Sequence, residues 1–207
     1  MTVGGARRDS GQAFPLYITV VAGILFLAFA YFAVGQAAAM RNAAQGAADA
    51  AALAAAHEAR RQAGEQLVSP AFDPKSLVDV LRARSFLPGA VCDEADRFAD
   101  RNRAEVRQCQ TSAWPVPEFS VEVRSRDSVG SSVVPGTEGK YATASATALI
   151  RPLCEVPRGD DAEEDDAEDG TSQDIIVLCE GRELVIDPVD PDSFPDLDRL
   201  FAVRLVD

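Results

Sequence analysis

The sequence is poor in the residue types that most often build catalytic and metal sites. Its 207 residues include one histidine, His57, and none of its four cysteines has a partner at the C-x-x-C spacing of redox and zinc sites. Nucleophile-elbow, zinc-protease and phosphate-loop motifs are missing as well. These absences exclude a histidine-rich metal site. They predict a protein that is not an enzyme and needs no cofactor, with His57 as a surface residue.

Basic residues are scarce, and lysine is almost absent. The chain has 20 lysines and arginines against 33 aspartates and glutamates, a formal net charge of −13, and only Lys75 and Lys140 are lysines. This acidity argues against binding to nucleic acid, whose phosphates need an excess of base, and against a basic patch for a membrane surface.

Part of the acidic excess lies in one run, DDAEEDDAED, at residues 160–169. Clustered carboxylates can bind calcium, but the run lacks the D-x-[DN]-x-[DN]-G order of a calcium loop. Adjacent like charges usually stay solvated. We therefore interpret residues 157–173 as an acidic disordered loop, and we predict no metal site.

One long stretch has no charged residue. Residues 13–34 are uncharged and carry large apolar side chains on every face. A helix of this length rises about 33 Å, against a hydrocarbon core of about 30 Å. Pro15 falls in the first turn, where a missing N–H does no harm, and Tyr17 and Tyr31 stand near the two ends as interface aromatics. The pattern predicts a transmembrane helix over residues 13–36.

The charges and cysteines around this helix predict its orientation. Arg7 and Arg8 precede it, which favours a cytoplasmic N-terminus of residues 1–12. All four cysteines lie beyond it, and disulfides form in oxidising compartments, so the C-terminal part is expected outside the cytoplasm. The alternative is a cleaved signal at the A-x-A-like Ala37 and Ala39, which would give a secreted binding protein. A signal peptide, however, usually has a shorter apolar run.

Alanine dominates the next segment. Residues 37–68 contain no proline, and Gly46 and Gly64 are their only helix breakers. The helix is therefore predicted to continue to about residue 66 as an Ala-rich stalk. Small side chains let helices approach closely. The stalk is thus either a spacer or a close-packing surface, against its own domain or against neighbouring copies. The candidate packing residues are Asn42, Gly46, Asp49 and Leu53.

These two segments together resemble a known family. RRDSGQAFPLY, an apolar span and RNAAQGAADAAALAAA look like the start of TadE/TadG-like proteins of the Tad (tight adherence, Flp-type) pilus-assembly family. In that family a Gly-Gln pair, here Gly11 and Gln12, opens the membrane helix. An Asn-x-x-x-x-Ala-Ala-Asp-Ala-Ala-Ala-Leu-Ala pattern, here residues 42–54, follows it. The resemblance covers about residues 7–58, and ADRFADRNRAEVRQCQ is similar to a later segment of small TadE-like proteins.

The resemblance implies a membrane-anchored, minor pseudopilin-like protein of a pilus or secretion apparatus. Its partners would be the lipid bilayer, other pilus or envelope proteins that contact the helix, and further copies of itself. Two features of the family are missing. Leu16 stands where processed prepilins carry a glutamate, so cleavage after Gly11 is not predicted. DSVGSS, at residues 127–132, also lacks the Asp-x-Ser-x-Ser order of the metal loop in larger TadG-like proteins.

The remainder, residues 69–207, predicts an extracytoplasmic α+β domain. Two helical patterns, one capped by Asp73 and Pro74, precede strand patterns, and this order is typical of short helices beside a mostly antiparallel sheet. The strand YATASATALI has an alanine face that we expect to lie against the stalk. A hairpin is predicted to turn at Glu180-Gly181. The strand patterns are AEVRQCQ, FSVEVRS, YATASATALI, the two halves of DIIVLCEGRELVIDP, and LFAVRLV.

The four cysteines predict that the domain is held by disulfides. They allow three pairings, and we favour the sequential one, Cys92 with Cys109 and Cys154 with Cys179. Loops of this size would each add about 3 kcal/mol to stability. Trp114 is followed by two prolines in AWPVPEF, and we interpret it as a core residue at a sheet edge in preference to an exposed contact residue.

Overall fold

The computed structural model describes residues 13–69, 76–128, 139–156, 175–187, 190 and 193–206. The basic N-terminus with Gly11, the predicted cap at Asp73 and Pro74, and the acidic run at 160–169 lie outside the described residues. The elements in chain order are α1 (Ala13–Leu67), α2 (Leu77–Leu81), α3 (Pro88–Arg101), β1 (Ala104–Ser112), β2 (Glu118–Ser128), β3 (Tyr141–Pro152), β4 (Cys154–Glu155), β5 (Ile175–Cys179), β6 (Arg182–Ile186), α4 (Leu197–Leu200) and β7 (Phe201–Val206).

The predicted long N-terminal helix is confirmed, and it is a single element. Helix α1 has 55 residues, about 80 Å of continuous helix. Its two halves have different surroundings. From Phe14 to Ala43 no side chain in this described stretch is buried, whereas from Ala44 onward one face is buried in the domain. The apolar segment and the alanine-rich segment are therefore joined by uninterrupted helix.

The buried half of α1 lies on a four-stranded antiparallel sheet. The strand order is β1-β2-β3-β7. Helix α1 contacts β2, β3 and β7, while α3 lies beside α1 and over β1. The predicted alanine face of β3 does contact the helix: Ala146 and Ala148 are buried, and Ala142 and Ala144 are partly buried. The α+β fold is thus a sheet with helices packed on one face, and the predicted stalk is its central helix.

Alanine makes this close packing possible. Eight alanines on the upper half of α1 are at most 1% exposed, and they belong to the same core cluster as Phe119, Val121 and Ile150 of the sheet. A methyl side chain lets two backbones approach closely and loses no rotamer freedom on folding. The eight are Ala47, Ala48, Ala51, Ala52, Ala55, Ala56, Ala59 and Ala63.

A second, smaller sheet of β4, β5 and β6 was not predicted as a separate sheet. β4 has only two residues, too few to show a sequence alternation. The predicted turn at Glu180-Gly181 is confirmed. Both residues have positive φ, 48° and 80°, as a two-residue hairpin turn of type I′ requires.

Enlarging one buried alanine should weaken the fold. Ala55→Leu adds three carbons at a fully buried position in the core between α1 and the rest of the domain. We expect the free energy of unfolding to fall by about 2 kcal/mol, since overpacked cores must shift backbone or leave preferred rotamers. Urea titration of the full chain in detergent micelles measures this. Ala43→Leu, at an exposed position of the same helix, is the control and should change stability little. Equal losses in both variants would contradict the close-packing account.

Candidate membrane anchor and packing surface

The lower half of α1 exposes an apolar surface on all sides. Among the described residues, α1 is the one helix long and apolar enough, by length and composition, to cross a membrane. Folded domains rarely leave so large a continuous apolar surface in water. Lipid is the environment that suits a helix that is apolar all round. Side chains exposed by half or more include Phe14, Leu16, Tyr17, Ile24, Leu25, Phe26, Leu27, Phe29, Tyr31 and Phe32.

The anchor and the folded domain are separated by a short stretch of helix. Val34 is the last residue of the apolar run, and Ala44 is the first buried residue of the domain, about 15 Å farther along the axis. Alanine-rich helix fills the interval, with the exposed Arg41 on it. A domain attached in this way cannot turn freely about a flexible linker, because the connection is a structural element.

The four packing candidates divide between two environments. Asn42 and Gly46 are exposed, and a Cβ on Gly46 would meet nothing within 4 Å. Leu53 is partly buried against the core. Asp49 is partly buried and accepts a hydrogen bond of 2.8 Å from Gln45 Nε2, which also donates to the carbonyl oxygen of Ser145 at 3.3 Å. Asp49 and Leu53 thus contribute to packing within the chain, while Asn42 and Gly46 remain available to a partner.

Replacement by alanine should affect stability differently at the two glycines of upper α1, Gly46 and Gly64. Gly46→Ala fills open space and removes a flexible residue from a helix, so we expect about 0.5–1 kcal/mol of added stability. Gly64→Ala would bring its Cβ to 2.6 and 2.7 Å from the two Cδ atoms of Leu197, so Leu197 must move and the gain should be lost. Urea unfolding of both variants measures the difference. If a partner helix packs on Gly46, the stabilised variant should nevertheless assemble poorly.

A polar network fixes the upper end of α1. Gln62 is 8% exposed; its Nε2 donates to Glu58 at 2.8 Å, and its Oε1 accepts from the backbone N–H of Leu87 at 2.7 Å, just before α3. The hydrogen bond from Arg61 lowers the pKa of Glu58, and Glu58 in turn raises the pKa of Arg61. Partial desolvation, then the charge of Arg60, lowers the pKa of His57. The hydrogen bond between Leu87 and Gln62 joins α1 to the start of α3, and the other contacts lie within α1.

The four cysteines form two disulfides. Cys92 with Cys109 joins α3 to β1, and Cys154 with Cys179 joins β4 to β5. Each bond connects two neighbouring elements and holds them together. In the part of the chain that the structure describes, no group of three or more histidine, cysteine, aspartate or glutamate side chains is placed to hold a metal ion.

Trp114 is not the core residue that the sequence pattern predicted. Its side chain is 72% exposed, and the guanidinium of Arg84 lies 5.7 Å from its ring centre. The prolines around Trp114 hold this segment at the rim of a groove of about 740 Å³ at the end of the domain opposite the anchor. The neighbouring Pro115 and Pro117 also line the groove. The two prolines that follow Trp114 closely, Pro115 and Pro117, were the one sequence signal for an exposed ring.

The fold and the helix define a class of protein: a membrane-anchored protein whose anchor helix continues into a disulfide-linked α+β domain. Residues 11–60 match the sequence model of a family described as putative Flp pilus-assembly TadE/G-like. The match covers 50 of the 207 residues, and it confirms that the N-terminal segment, from anchor to buried alanine face, resembles TadE/TadG-like proteins. No curated protein and no solved structure matches the chain.

Proposed function

We propose that the chain is a non-enzymatic, single-pass membrane protein that serves as a structural or assembly component of a Tad/Flp-like pilus or secretion apparatus. One observation carries the proposal: the segment that matches the pilus-assembly family is a single helix that is lipid-compatible below and buried in a folded domain above. This arrangement positions a domain at a fixed height and angle on a membrane, which suits a component of an ordered assembly.

The orientation that we propose places residues 1–12 in the cytoplasm and the C-terminal domain outside it. Arg7 and Arg8 before the helix support it, because basic residues are retained on the cytoplasmic side. The two disulfides support it independently, because they persist in oxidising compartments. Residues 13–36 would span the bilayer. Residues 37–68 would connect this span to the domain and form its central helix.

We propose that partners contact the chain beside the membrane. Asn42 and Gly46 lie one helical turn apart on the exposed part of α1, and the missing side chain at Gly46 lets another helix approach closely. The partner would be a helix of another pilus or envelope protein, or of a second copy of this chain. Gly46→Leu is the variant that should block such an approach without disturbing the core.

The test is complementation of a strain that lacks this chain. We expect pili to be lost in the deletion strain, restored by the wild-type chain, and not restored by Gly46→Leu, with Ala43→Leu as the matched control that restores them. Unchanged piliation in the deletion strain would overturn the proposed role. Immunoblotting should show equal amounts of each variant in the membrane.

Intact mass and N-terminal sequencing of the protein from membranes and medium test the anchor separately. A full-length chain in the membrane supports it. A start at Gln12 would indicate prepilin-type processing after Gly11, in spite of Leu16. A start at Met40 in the medium would mean that the helix is a cleaved signal, and the chain would then be a secreted binding protein.

A further inference from the structure

Charge is distributed unevenly over the domain. The chain as a whole has 20 basic and 33 acidic residues. Among the described residues at the end of the domain nearest the apolar half of α1, by contrast, basic residues outnumber acidic ones. We call this surface the membrane-proximal edge, and it consists of Arg41, Arg101, Arg103, Arg124, Arg126 and Lys140.

The chain returns to this edge twice, once between α3 and β1 and once between β2 and β3. Helix α3 begins beside Gln62, at the upper end of α1, and runs back toward the anchor for 14 residues, about 20 Å. It ends at Arg101, and β1 begins three residues later. Strand β2 descends beside β1, with Ser125 opposite Ala104, and β3 starts there, with Tyr141 opposite Ser128. The cationic residues stand at these ends of elements.

The height of the edge above the anchor follows from α1. Gln45, whose side chain donates a hydrogen bond to the carbonyl oxygen of Ser145, lies about 17 Å along the helix from Val34, the last residue of the apolar run. Tyr141 precedes Ser145 by four residues and lies closer to the anchor. The headgroup layer adds about 5–7 Å to the hydrocarbon on each side. Long arginine and lysine side chains at this edge can therefore reach the headgroups.

The cations of the edge are only partly neutralised. Arg103 pairs with Asp127 at 3.0 Å, Arg124 with Glu105 at 3.9 Å, and Arg126 with Asp100. Arg41, Arg101 and Lys140 form no ion pair with any residue that the structure describes. Among the described residues of the edge, six cations thus face three paired carboxylates. The upper margin is acidic: it adds two bases, Arg97 and Arg107, and four acids, Asp49, Asp93, Asp96 and Glu122, of which Asp93 and Asp96 line one groove with Arg126.

The aromatic residue at the edge fits the same environment. Tyr141 is 42% exposed, and the guanidinium of Arg124 lies 4.0 Å from its ring centre. Tyrosine is enriched where headgroups meet water, because its ring is apolar and its hydroxyl is polar. Paired arginines at the surface can also exchange a carboxylate partner for a phosphate, since surface ion pairs contribute little to stability.

We propose that the membrane-proximal edge docks on anionic phospholipid headgroups of the membrane that holds α1. The proposal rests on the proposed insertion of α1 in that membrane. The unbroken helix keeps the edge at headgroup height, so each cation meets a high local concentration of phosphate. Docking fixes the tilt of the domain, which an isolated helix would leave free.

Lysine acetylation can test the docking, because the chain has only two lysines. The full-length protein is placed in nanodiscs of phosphatidylcholine, or of phosphatidylcholine with phosphatidylglycerol, and treated with a neutral acetylating reagent. Mass spectrometry then gives the reactivity of Lys140 relative to Lys75, the other lysine of the chain. We expect phosphatidylglycerol to lower this ratio at least about threefold. High salt should restore it, because salt screens exposed charges.

Paired variants separate docking from a general effect of negative lipid. Arg103→Gln/Arg126→Gln removes two cations of the edge and should cancel most of the protection of Lys140. Arg82→Gln/Arg182→Gln removes two exposed cations from the far half of the domain, and it should behave as the wild type. Circular dichroism of both variants checks that the fold is retained.

The outcomes distinguish the two proposals. If the chain fails to co-purify with nanodiscs of either composition, the membrane anchor itself is overturned. If it enters the discs and the Lys140 to Lys75 ratio is the same in both lipids, lipid docking is overturned, and the edge is left to an acidic protein partner. Equal protection in the wild type and in Arg103→Gln/Arg126→Gln also overturns docking, because the effect would not need the edge.

Discussion

Two arginines in the apolar half of α1 should release the protein from the membrane. Leu25 and Phe29 are exposed near the middle of the uncharged run and lie one turn apart. Replacing a central leucine with arginine costs about 3–4 kcal/mol on insertion scales, so Leu25→Arg/Phe29→Arg should cost about twice that. We expect the variant to be absent from carbonate-washed membranes, as measured by immunoblotting of the separated fractions.

The control places the same two charges above the apolar run. Ala39 and Ala43 are exposed and have the same four-residue spacing. Ala39→Arg/Ala43→Arg should stay in the membrane fraction, because arginine at this height lies among headgroups or water. Retention of both variants would mean that residues 13–34 do not cross the bilayer. Release of both would mean that membrane association depends on the upper helix and not on its apolar half.

Removing the Cys154–Cys179 disulfide should lower the free energy of unfolding by about 3 kcal/mol. The bond spans 25 residues of sequence, and without it the unfolded chain gains the freedom of an open loop. The small sheet would also lose the covalent link between β4 and β5, and a hairpin such as β5–β6 is marginally stable alone.

Urea unfolding of Cys154→Ala/Cys179→Ala in micelles measures the loss. Trp114, the single tryptophan, gives the fluorescence signal; the neighbouring Pro115 lines the same groove as Cys154. Under reducing conditions the difference in free energy of unfolding between the wild type and the variant should be smaller, because the reductant opens the same bond in the wild type. A variant as stable as the oxidised wild type would show that the bond contributes nothing to the folded state.

Elements with strong periodic patterns were predictable from the sequence. The 22-residue uncharged run, the alanine-rich continuation and the alternating β3 strand each carry their signal within one segment. The sequence left open whether the alanine face meets its own domain or neighbouring copies. The structure shows the first for Ala47 to Ala63, because β3 supplies a face of equally small residues.

Features that depend on contacts between distant segments were not predictable. The total charge argued against a basic membrane-facing surface, but it could not show that Arg101, Arg124 and Lys140 meet at one end of the fold. Trp114 was assigned to the core because large aromatic residues are usually buried on average. Its neighbouring prolines and the partner Arg84 instead hold it at the surface.

Helix α1 is both the predicted membrane span and the central helix of the domain. Its residue count therefore fixes how the domain is rotated about the helix axis. Each residue of an α-helix advances the chain by about 100° around the helix axis and by 1.5 Å along it. One alanine inserted near Ala38 would therefore swing the whole sheet about 100° around the axis relative to any neighbour in the bilayer. Seven inserted residues would nearly restore its azimuth while raising it about 10 Å. The number of helical residues between Val34 and Ala44 thus sets the direction in which the domain faces around the helix axis. A flexible linker could not set this direction.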